Sequence, residues 1–430
     1  MTKPQERIPV TLTVAIVLTV AIVLGQVFGH PSDIQDIVTG QFSKGIRLHY
    51  SFTYLLFAPF FQVADHLTIL SIRQHIAFGS AVNLFWIGCR LLKLFGTPFS
   101  VRLFLIEVGG VLLLNLGLFI VFVIAVLIPR PMARLELDDK DLLAFNIHSH
   151  THASWDGRRS FSPLKNMLWH ERGGFHANFI TDHNVFHGSI AGREISLSRK
   201  PHPGIISMRG EELSLSKSHW ILLGNKTYFN KETHDTGYRG IKSFLQTVSQ
   251  ARDQVVIASL PQYWQDHWDN LDDFLAWGVQ GFEIVSSSPR ALGFPPRLRS
   301  RIVKMSRENN LLIMGGADSH GWGSTVHVWN LVRFPNWRGL PPERLEEELI
   351  QLLKQKRFAA VQVVVRHKAE SPDHPWMLAV DPLLQIWEGA RSLPFTQAVS
   401  ILIWIWVPLG LAKLVGRMRA HPTVGSANLS

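Results

Sequence analysis

The chain has 430 residues, of which 46% are hydrophobic, and its formal net charge is +10. This length allows two or more structural units, and a mean hydropathy of +0.11 is high for a purely soluble protein, which indicates membrane segments. The single cysteine, Cys89, excludes a disulfide framework and a cysteine-based metal cluster. We assign the basic excess to membrane topology and therefore do not expect a nucleic-acid partner.

Three stretches are long and apolar enough to cross a bilayer, and two more are marginal. The first group comprises residues 10–28, 108–128 and 392–412, and the marginal stretches are residues 48–64 and 74–89. A cleaved signal peptide is the alternative interpretation of the first stretch. We favour a retained helix, because the apolar part is long for a signal peptide and no clear cleavage site follows it.

Basic residues near these stretches constrain the orientation of the chain. Lys3 and Arg7 place the N-terminus in the cytoplasm, and the C-terminus is placed there by Lys413, Arg417 and Arg419. Both conditions together require an even number of crossings, so one of the two marginal stretches should cross. We therefore predict a multi-pass membrane protein with four spans and an extracytoplasmic soluble domain, although Arg130 and Arg134 argue for the opposite side.

Residues 131–391 lack a long apolar run and form the predicted soluble domain. It lies between a membrane region (1–130), a C-terminal membrane helix (392–416) and a basic tail (417–430) that we expect to be disordered. Short β-branched runs there alternate with helical patterns at residues 241–248, 298–305 and 341–353. The strand candidates are residues 142–148, 177–181, 204–208, 220–223, 254–258, 281–285, 311–314 and 358–365. This alternation indicates a parallel α/β layer or barrel, and a length of about 260 residues suits a barrel.

Two histidines mark the end of the first of these strands. His148 and His150 are two residues apart, so on a strand both imidazoles project from the same face. Gly157 and the small polar residues before it indicate a turn at the strand's C-terminal end, where ligands bind in α/β sheets and barrels. A metal ion that prefers nitrogen or carboxylate ligands could be held there.

Further donor residues recur at later predicted strand boundaries. These groups are Thr181-Asp182-His183-Asn184, Gly210-Glu211-Glu212, Ser218-His219 and Asp318-Ser319-His320. Their oxygen and nitrogen donors suit two or three Zn²⁺, Mn²⁺ or Fe²⁺ ions in one site. A carboxylate that bridges two such metals gives the arrangement used for phosphoester hydrolysis.

The order H-x-H-T, T-D-H-N, G-x-E and D-x-H resembles the polymerase and histidinol phosphatase (PHP) domain family over about residues 140–370. The resemblance implies a distorted (β/α)₇ barrel and a phosphoesterase that uses two or three divalent metals and a hydroxide bridging them. The implied ligands are His148, His150 and Asp318 for one metal, Asp156, His183 and His320 for a second, and His219 for a third, with Glu212 as the bridge. Glu212, Asp318 and His320 are also the implied catalytic residues.

One position departs from the family pattern. The family usually has a His-Pro pair at the end of a later strand, and here the matching pair is Leu260-Pro261. Leu260 cannot bind a metal, so the metal served by His219 is short of a protein ligand unless Gln262, His267 or water completes it. We therefore favour a dinuclear site over a trinuclear one.

Several residues near the motifs receive other predicted roles. Asp182 should cap a turn, Glu211 should be an outer contact or exposed, and His152 should lie away from the metals because the strand ends before it. Cations that flank the motif loops are candidates for binding the substrate phosphate, with solvated surface charge as the alternative. These cations are Arg158, Arg193 and Lys200.

The sequence thus predicts a membrane-anchored, metal-dependent hydrolase of phosphoesters, acting on a phosphorylated small molecule or a lipid-linked substrate among membrane lipids. An amidohydrolase-type barrel also opens with H-x-H and is the first alternative, although the three later motifs fit it less well. The second alternative is a degenerate metal-binding scaffold, since Leu260 replaces a ligand. Retention of the other candidate ligands argues against it.

Overall fold

The computed structural model describes residues 10–98, 100–198, 204–233, 237–261 and 267–420. Its strands are β1 (Ile34–Asp36), β2 (Ile46–His49), β3 (Arg134–Leu137), β4 (Leu142–Asn146), β5 (Ala177–Ile180), β6 (Ile206–Leu215), β7 (Ser218–Leu223), β8 (Val255–Ser259), β9 (Gly281–Ser286), β10 (Leu312–Gly316), β11 (Val328–Arg333) and β12 (Val361–Arg366). Its helices are α1 (Val10–Val27), α2 (Phe52–Leu56), α3 (Ala58–Thr68), α4 (Ile72–Leu94), α5 (Val101–Leu127), α6 (Pro163–Arg172), α7 (His187–Ser198), α8 (Tyr238–Val248), α9 (Leu271–Ala276), α10 (Pro296–Glu308), α11 (Pro342–Lys356), α12 (Asp381–Arg391) and α13 (Phe395–Ala420).

Within these residues, ten strands form one mixed sheet in the order β1-β12-β11-β4-β5-β6-β7-β8-β9-β10, and β2 pairs separately with β3. The runs β4-β5-β6 and β8-β9-β10 are parallel, whereas β6-β7-β8 and the β11 and β12 side are antiparallel. The sheet curls, because the loop after β10 returns to the loop after β4, where Ser149 and Ser319 form a parallel bridge. The fold is therefore mixed α/β with a curled sheet, and closure as a (β/α)₇ barrel stays a prediction.

All eight predicted strand stretches contain a strand, but the predicted parallel arrangement is wrong in its middle. β6 continues to Leu215 and turns back into β7 as an antiparallel hairpin. The helical patterns fall on α8, α10 and α11, whose apolar faces pack on the sheet. In α8 the predicted core positions Ile241, Phe244, Leu245 and Val248 are all buried.

Four helices in the described part of the chain, α1, α4, α5 and α13, are long and apolar enough to cross a membrane. Their outer faces expose Val, Leu, Ile and Phe side chains. Of the two marginal stretches, residues 74–89 lie within α4. Residues 48–64 instead form the end of β2, all of α2 and most of α3, with Tyr54 fully buried against the sheet domain. The number of candidate spans is four, as predicted.

Polar side chains join α4 and α5 into a hairpin. Asn83 and Asn115 donate amide hydrogen bonds to each other at 3.0 and 2.9 Å. Arg90 pairs with Glu107 through two contacts, at 2.8 and 2.5 Å. Such contacts hold helices together where the surrounding lipid provides no hydrophobic driving force.

A second junction joins the pair α1 and α13 to the sheet domain through α12. Glu388 of α12 lies 2.8 Å from His30 Nε2 and 3.0 Å from His367 Nε2, and it accepts a 2.9 Å hydrogen bond from Arg391. Burial alone would raise the pKa of Glu388, but the hydrogen bonds of His30, His367 and Arg391 lower it to about 2. The carboxylate therefore stays charged and fastens the end of α1 to the end of β12.

A buried carboxylate joins the other pair of helices to the sheet domain. Asp65 of α3 accepts hydrogen bonds from Arg130 Nε at 2.8 Å, just after α5, and from Arg366 Nη1 at 2.7 Å, at the end of β12. Tyr54 donates at 2.8 Å and Thr325 at 3.0 Å. Because buried charges are stable only when paired, this cluster fixes α5 against the domain.

Candidate metal centre

The loops that carry the first and last motifs run side by side. The backbone N–H of Asp318 donates to the carbonyl of His148 at 2.8 Å, and that of His150 donates to the carbonyl of Ser319 at 2.9 Å. The side chain of Asn146, the last residue of β4, accepts from the N–H of Ala317 at 2.8 Å. These bonds bring both histidines of H-x-H next to Asp318, although about 170 residues separate them in sequence.

Asp182 holds the first motif loop and does not face the metal ligands. Its carboxylate accepts hydrogen bonds from the backbone N–H of Thr151 at 2.5 Å and from the Thr151 hydroxyl at 2.7 Å. This loop-fixing role agrees with the capping role expected from sequence. His152, one residue further on, is exposed and lies outside the ligand groups described below.

The two glutamates of β6 point in opposite directions, as strand alternation requires. Glu212 points into the ligand cluster. Glu211 is also fully buried, and its carboxylate accepts hydrogen bonds from the Phe229 N–H at 3.0 Å and from Asn225 at 3.3 Å. Burial raises the pKa of Glu211 to about 7. The alternative that Glu211 is exposed is therefore wrong.

The structure brings seven of the eight predicted ligands into three interlocking groups, and within each group the candidate ligand atoms lie within 4.8 Å of one another. Asp318 contacts the first of these groups. The groups are His148, His150 and Glu212; His150, Asp156, His183 and His320; and His183, Glu212 and His219. Glu212, His150 and His183 each belong to two groups, so the metal positions they define would be neighbours.

Glu212 is the centre of the cluster. Its Oε2 lies 3.0 Å from His148 Nε2, 3.2 Å from His150 Nε2 and 3.3 Å from His183 Nδ1. Its Oε1 lies 2.7 Å from His219 Nδ1. A carboxylate with imidazoles at both oxygens has the position of a metal bridge.

The other two carboxylates lie on opposite sides of His150. Asp318 Oδ1 is 3.4 Å from His148 Nε2 and 3.2 Å from His150 Nε2. Asp318 has a backbone φ of 44°, a left-handed conformation that Asp tolerates better than most residues. Asp156 Oδ2 is 3.0 Å from His320 Nε2 and 3.3 Å from His183 Nε2.

Several of these donor atoms lack hydrogen bonds even though they are buried. They include His150 Nε2, His183 Nδ1 and Glu212 Oε1. A buried polar atom without a hydrogen bond costs about 1–3 kcal/mol, so its retention calls for an explanation. Converging imidazole and carboxylate donors fit divalent transition metals, which would satisfy these atoms.

The electrostatics of the cluster agree with a cation site. Burial alone would raise the pKa of Glu212, but the charges of His148, His183 and His219 hold it well below its usual range. Burial alone would lower the pKa of His148, whereas Glu212, Asp318 and Glu283 raise it well above the ordinary value. The carboxylates thus favour a positive charge on His148, and a divalent metal would take the place of that proton.

Glu283 of β9 is a residue that the sequence analysis missed. It is fully buried, and its Oε2 lies 3.2 Å from His148 Nδ1 and accepts a hydrogen bond from the Ser259 hydroxyl. A hydrogen-bonded carboxylate behind a ligand histidine fixes the ring and its tautomer. The sequence did contain one indication of this role, because Glu283 is the single charged residue of the strand Gly281–Ser286.

The position of the missing family histidine is apolar in the structure as well. Leu260 is fully buried in the main hydrophobic core. His267 does not replace it, because its Nε2 donates to the carbonyl of Ser216 at 2.9 Å. Gln262 lies outside the described residues. The group of His183, Glu212 and His219 thus has three candidate protein ligands in the described part of the chain.

The predicted phosphate-binding cations have different surroundings in the structure. Arg158 is exposed, and its guanidinium lies 5.0 Å from the ring of Trp322, a residue of the site cavity. Arg193 instead pairs with the buried carboxylate of Glu346 at 2.9 Å and is not among the residues that line the cavity, so its phosphate-binding role stays a prediction. Lys200 lies outside the described residues.

A cavity of about 950 Å³ opens over the cluster. Its floor includes His183, His219, Asp318 and His320, and its rim includes two exposed cations that sequence reasoning did not single out, Lys217 and Arg290. Lys217 lies in the β6–β7 turn and Arg290 in the loop after β9. An anionic substrate could therefore approach the cluster between basic side chains.

No family model matches the chain, and neither does any curated protein. Among solved structures, it is similar to a Bifidobacterium adolescentis protein described as a metal-dependent phosphoesterase, with 17% identity over 41% of this chain and 87% of the other and a TM-score of 0.32. It is similar to PsfC of Pseudomonas syringae, with 13% identity over 56% and 98% of the two chains and a TM-score of 0.34. An amidohydrolase of Chromobacterium violaceum with bound sulfate and no metal matches at 14% identity, 46% and 98% coverage and a TM-score of 0.30. Similarities of this size leave the chemistry open, so function is inferred from the site.

Proposed function

We propose that this protein is a membrane-anchored, metal-dependent hydrolase that cleaves phosphoester bonds. The observation that carries the proposal is the position of Glu212, whose two oxygens face four imidazoles at 2.7–3.3 Å. A shared carboxylate of this kind suits two neighbouring divalent ions, which clamp the attacking and leaving oxygens of a phosphoester.

The donor set divides most simply between two ions. His148, His150, Asp318 and Glu212 would hold one, and Asp156, His183 and His320 would hold the other. Glu212 Oε2 also lies 3.3 Å from His183 Nδ1, so this carboxylate would lie between the two sets. Bound divalent ions would supply Lewis acidity and lower the pKa of a water molecule. A third ion beside His219 would be weaker, since Leu260 contributes no ligand there. Zn²⁺, Mn²⁺ and Fe²⁺ all suit this mixture of donors.

The chain's own groups have separate tasks in this proposal. Glu283 orients His148 from behind, and Asp182 fixes the loop that carries His150. Two divalent ions would offset the negative charge of the carboxylates around the cluster, so a phosphate could approach it. His219 and His320 line the cavity and are the candidate proton donors to the leaving alkoxide.

We also propose that the sheet domain lies outside the cytoplasm. The domain-side ends of the four candidate spans are His30, Ser71, Arg130 and Phe395, each close to residues of the sheet domain or α12. The opposite ends carry Lys93, Arg102 and Lys413, and basic residues favour the cytoplasmic side. Substituted cysteines test this in a Cys89→Ser background. A membrane-impermeant maleimide should label Lys165→Cys but not Thr97→Cys in intact cells, and the reverse pattern would refute it.

Metal analysis of the full-length protein in detergent tests the proposed function. Wild-type protein and Glu211→Gln should copurify with divalent metal and hydrolyse p-nitrophenyl phosphate, whereas Glu212→Gln should lose both properties. Glu211 is the matched control, because it is the adjacent buried glutamate on the opposite strand face. Folded wild-type protein that binds no metal would favour the scaffold alternative. Hydrolysis of p-nitroacetanilide without phosphatase activity would favour the amidohydrolase alternative.

A further inference from the structure

The cavity over the metal-ligand cluster has a second wall made by the membrane helices. Ile72 and His75 of α4 and Phe122 and Val126 of α5 line the same cavity as Asp156, His183 and His320. The two walls belong to segments far apart in sequence, and the Asp65 cluster at the end of α5 holds them in place. One continuous space therefore joins a polar, ligand-rich face to an apolar face.

The apolar wall lies within the candidate spans rather than above them. Val126 is the second-last residue of α5, and Phe122 lies five residues before its end, about 8 Å along the helix axis. Ile72 is the first residue of α4. If α4 and α5 cross the bilayer, the cavity reaches below the membrane surface.

His75 adds one polar atom to this wall. Its ring packs on Phe122 with 5.0 Å between the centroids, and its Nδ1 donates to the carbonyl of Ser71 at 3.0 Å. Its Nε2 is thus a hydrogen-bond acceptor, and it is buried without a hydrogen-bond partner. The other residues named for this wall, Ile72, Phe122 and Val126, are apolar.

The rim of the cavity has the composition of a membrane interface. Trp155 and Trp322 line it with 81% and 50% of their surfaces exposed, and Lys217 and Arg290 lie at the same rim. Exposed tryptophans favour the boundary between lipid and water, and cations there attract anionic head groups. A purely water-soluble substrate would not need contacts with the exposed indoles or with the apolar wall.

We propose that the substrate is a membrane lipid phosphoester, whose acyl chains lie along α4 and α5 while its phosphate reaches the ligand cluster. This inference rests on the proposed phosphoesterase function. Hydrolysis consumes water: a new P–O bond forms at phosphorus, the P–O bond to the lipid breaks, and the lipid leaves as an alcohol that takes the proton. Burying even a few methylenes against the wall should favour a lipid over its chain-free head group by about 100-fold in kcat/KM.

Filling the apolar wall tests the inference through activity. Val126→Trp should reduce kcat/KM for dioleoyl phosphatidic acid in mixed micelles by about tenfold or more, while p-nitrophenyl phosphate hydrolysis changes by less than about twofold. Ile124→Trp is the matched control, because Ile124 is exposed on the same turn of α5 and does not line the cavity. It should leave both activities unchanged. Glycerol 3-phosphate serves as the chain-free counterpart, and phosphatidylglycerol with glycerophosphoglycerol repeats the comparison for a diester.

A crosslinking map gives a readout that needs neither a variant nor turnover. Metal-stripped protein in nanodiscs is irradiated with phosphatidic acid carrying a diazirine on its acyl chain. Adducts should concentrate in residues 72–75 and 122–126, and excess unlabelled phosphatidic acid should remove them. Adducts spread evenly over the outer faces of α4 and α5 would overturn the inference.

The failure of this inference is distinguishable from failure of the proposed function. If the metal-loaded protein hydrolyses p-nitrophenyl phosphate but prefers glycerol 3-phosphate to phosphatidic acid, the lipid inference is wrong and the phosphoesterase stands. Equal effects of Val126→Trp and Ile124→Trp on phosphatidic acid would also overturn the lipid inference alone. If no phosphoester is hydrolysed by the metal-loaded protein, both proposals fail.

Discussion

Glu283 Oε2 lies 3.2 Å from Nδ1 of His148, on the side of the imidazole opposite to Glu212, which lies 3.0 Å from Nε2. The ring is therefore held between two buried carboxylates. With its proton on Nδ1 directed at Glu283, His148 presents the Nε2 lone pair to the cluster, as a metal ligand must. A residue that faces no metal thus decides how a candidate ligand is oriented.

Replacing Glu283 should weaken metal binding without removing any ligand. We expect Glu283→Gln to lower the affinity for Zn²⁺ or Mn²⁺ by about 10–100-fold, because the neutral amide no longer fixes the tautomer of His148. Competition with a fluorescent chelator measures this affinity. Glu308→Gln, at an exposed glutamate of α10, is the control and should bind as the wild type does. Equal affinities of the two variants would show that Glu283 has no positioning role.

Removing the charge of Asp65 should loosen α5 from the sheet domain. Asp65→Asn leaves Arg130 and Arg366 buried without their counter-charge, so the free energy of unfolding should fall by about 3–5 kcal/mol. Thermal unfolding in detergent measures the loss. Asp269→Asn changes a side chain that is 99% exposed and should shift stability by less than about 0.5 kcal/mol. A similar melting temperature for both variants would contradict the anchoring role.

Lys368 should make the free energy of unfolding depend on pH in the alkaline range. Burial lowers the pKa of Lys368 to about 8, so between pH 8 and its unfolded value the unfolded chain binds more protons than the folded chain. Wild-type stability should therefore rise through this range, and the cost of the buried charge is fully present below pH 8. Lys368→Met should raise the free energy of unfolding at pH 7 by roughly 3 kcal/mol and so raise the melting temperature, and the gain should vanish near pH 10.5.

The matched variant for Lys368 is Lys304→Met, at an exposed lysine of α10. It should show no gain that depends on pH. Melting curves of both variants at pH 7 and at pH 10.5 separate the effect of the buried charge from a general effect of removing a lysine. A gain that persists unchanged at pH 10.5 would rule out the charge as its cause.

Replacing Arg158 should change KM, whereas replacing Arg193 should change the melting temperature. Arg158→Ala should raise KM for p-nitrophenyl phosphate about 3–10-fold with a nearly unchanged melting temperature, because Arg158 stacks on a cavity residue at an exposed position. Arg193→Ala should lower the melting temperature and leave KM unchanged, since its partner is the buried Glu346. Steady-state kinetics and melting curves measured on both variants provide the comparison. A higher KM for Arg193→Ala with an unchanged melting temperature would support Arg193 as a phosphate-binding residue.

Local sequence patterns predicted where most strands lie, but they did not predict the antiparallel pairing of β6, β7 and β8 in the middle of the sheet. The hairpin between β6 and β7 turns at Ser216 and Lys217, both with positive φ (47° and 59°). Such a turn normally carries Asn or Gly, so the sequence held no hairpin signal there. β11 was not predicted either, because Trp329 and Asn330 interrupt the apolar alternation that marks a strand.

The candidate ligands could be named from the sequence because each belongs to a short local motif or follows one closely. Glu283 was not, since its partner His148 is 135 residues away and nothing local indicates the contact. The cavity wall was beyond sequence reasoning for the same reason. Phe122 lies in a candidate span and His320 in the last motif, and only the folded position of α5 against the domain brings them to one cavity.

Thr325 couples the length of α5 to the site. Its hydroxyl lies 2.7 Å from Arg130 Nη2 and 2.8 Å from Thr68 Oγ1, in the loop that begins with Asp318 and His320. The 27 residues of α5 extend about 40 Å, and the part after Glu107 extends about 30 Å, so a spanning α5 would tilt more in a thinner bilayer and less in a thicker one. Any change in tilt moves Arg130 and, through Thr325, the loop of His320. Hydrolysis by protein reconstituted in vesicles should therefore vary with acyl-chain length, even when the substrate is water-soluble.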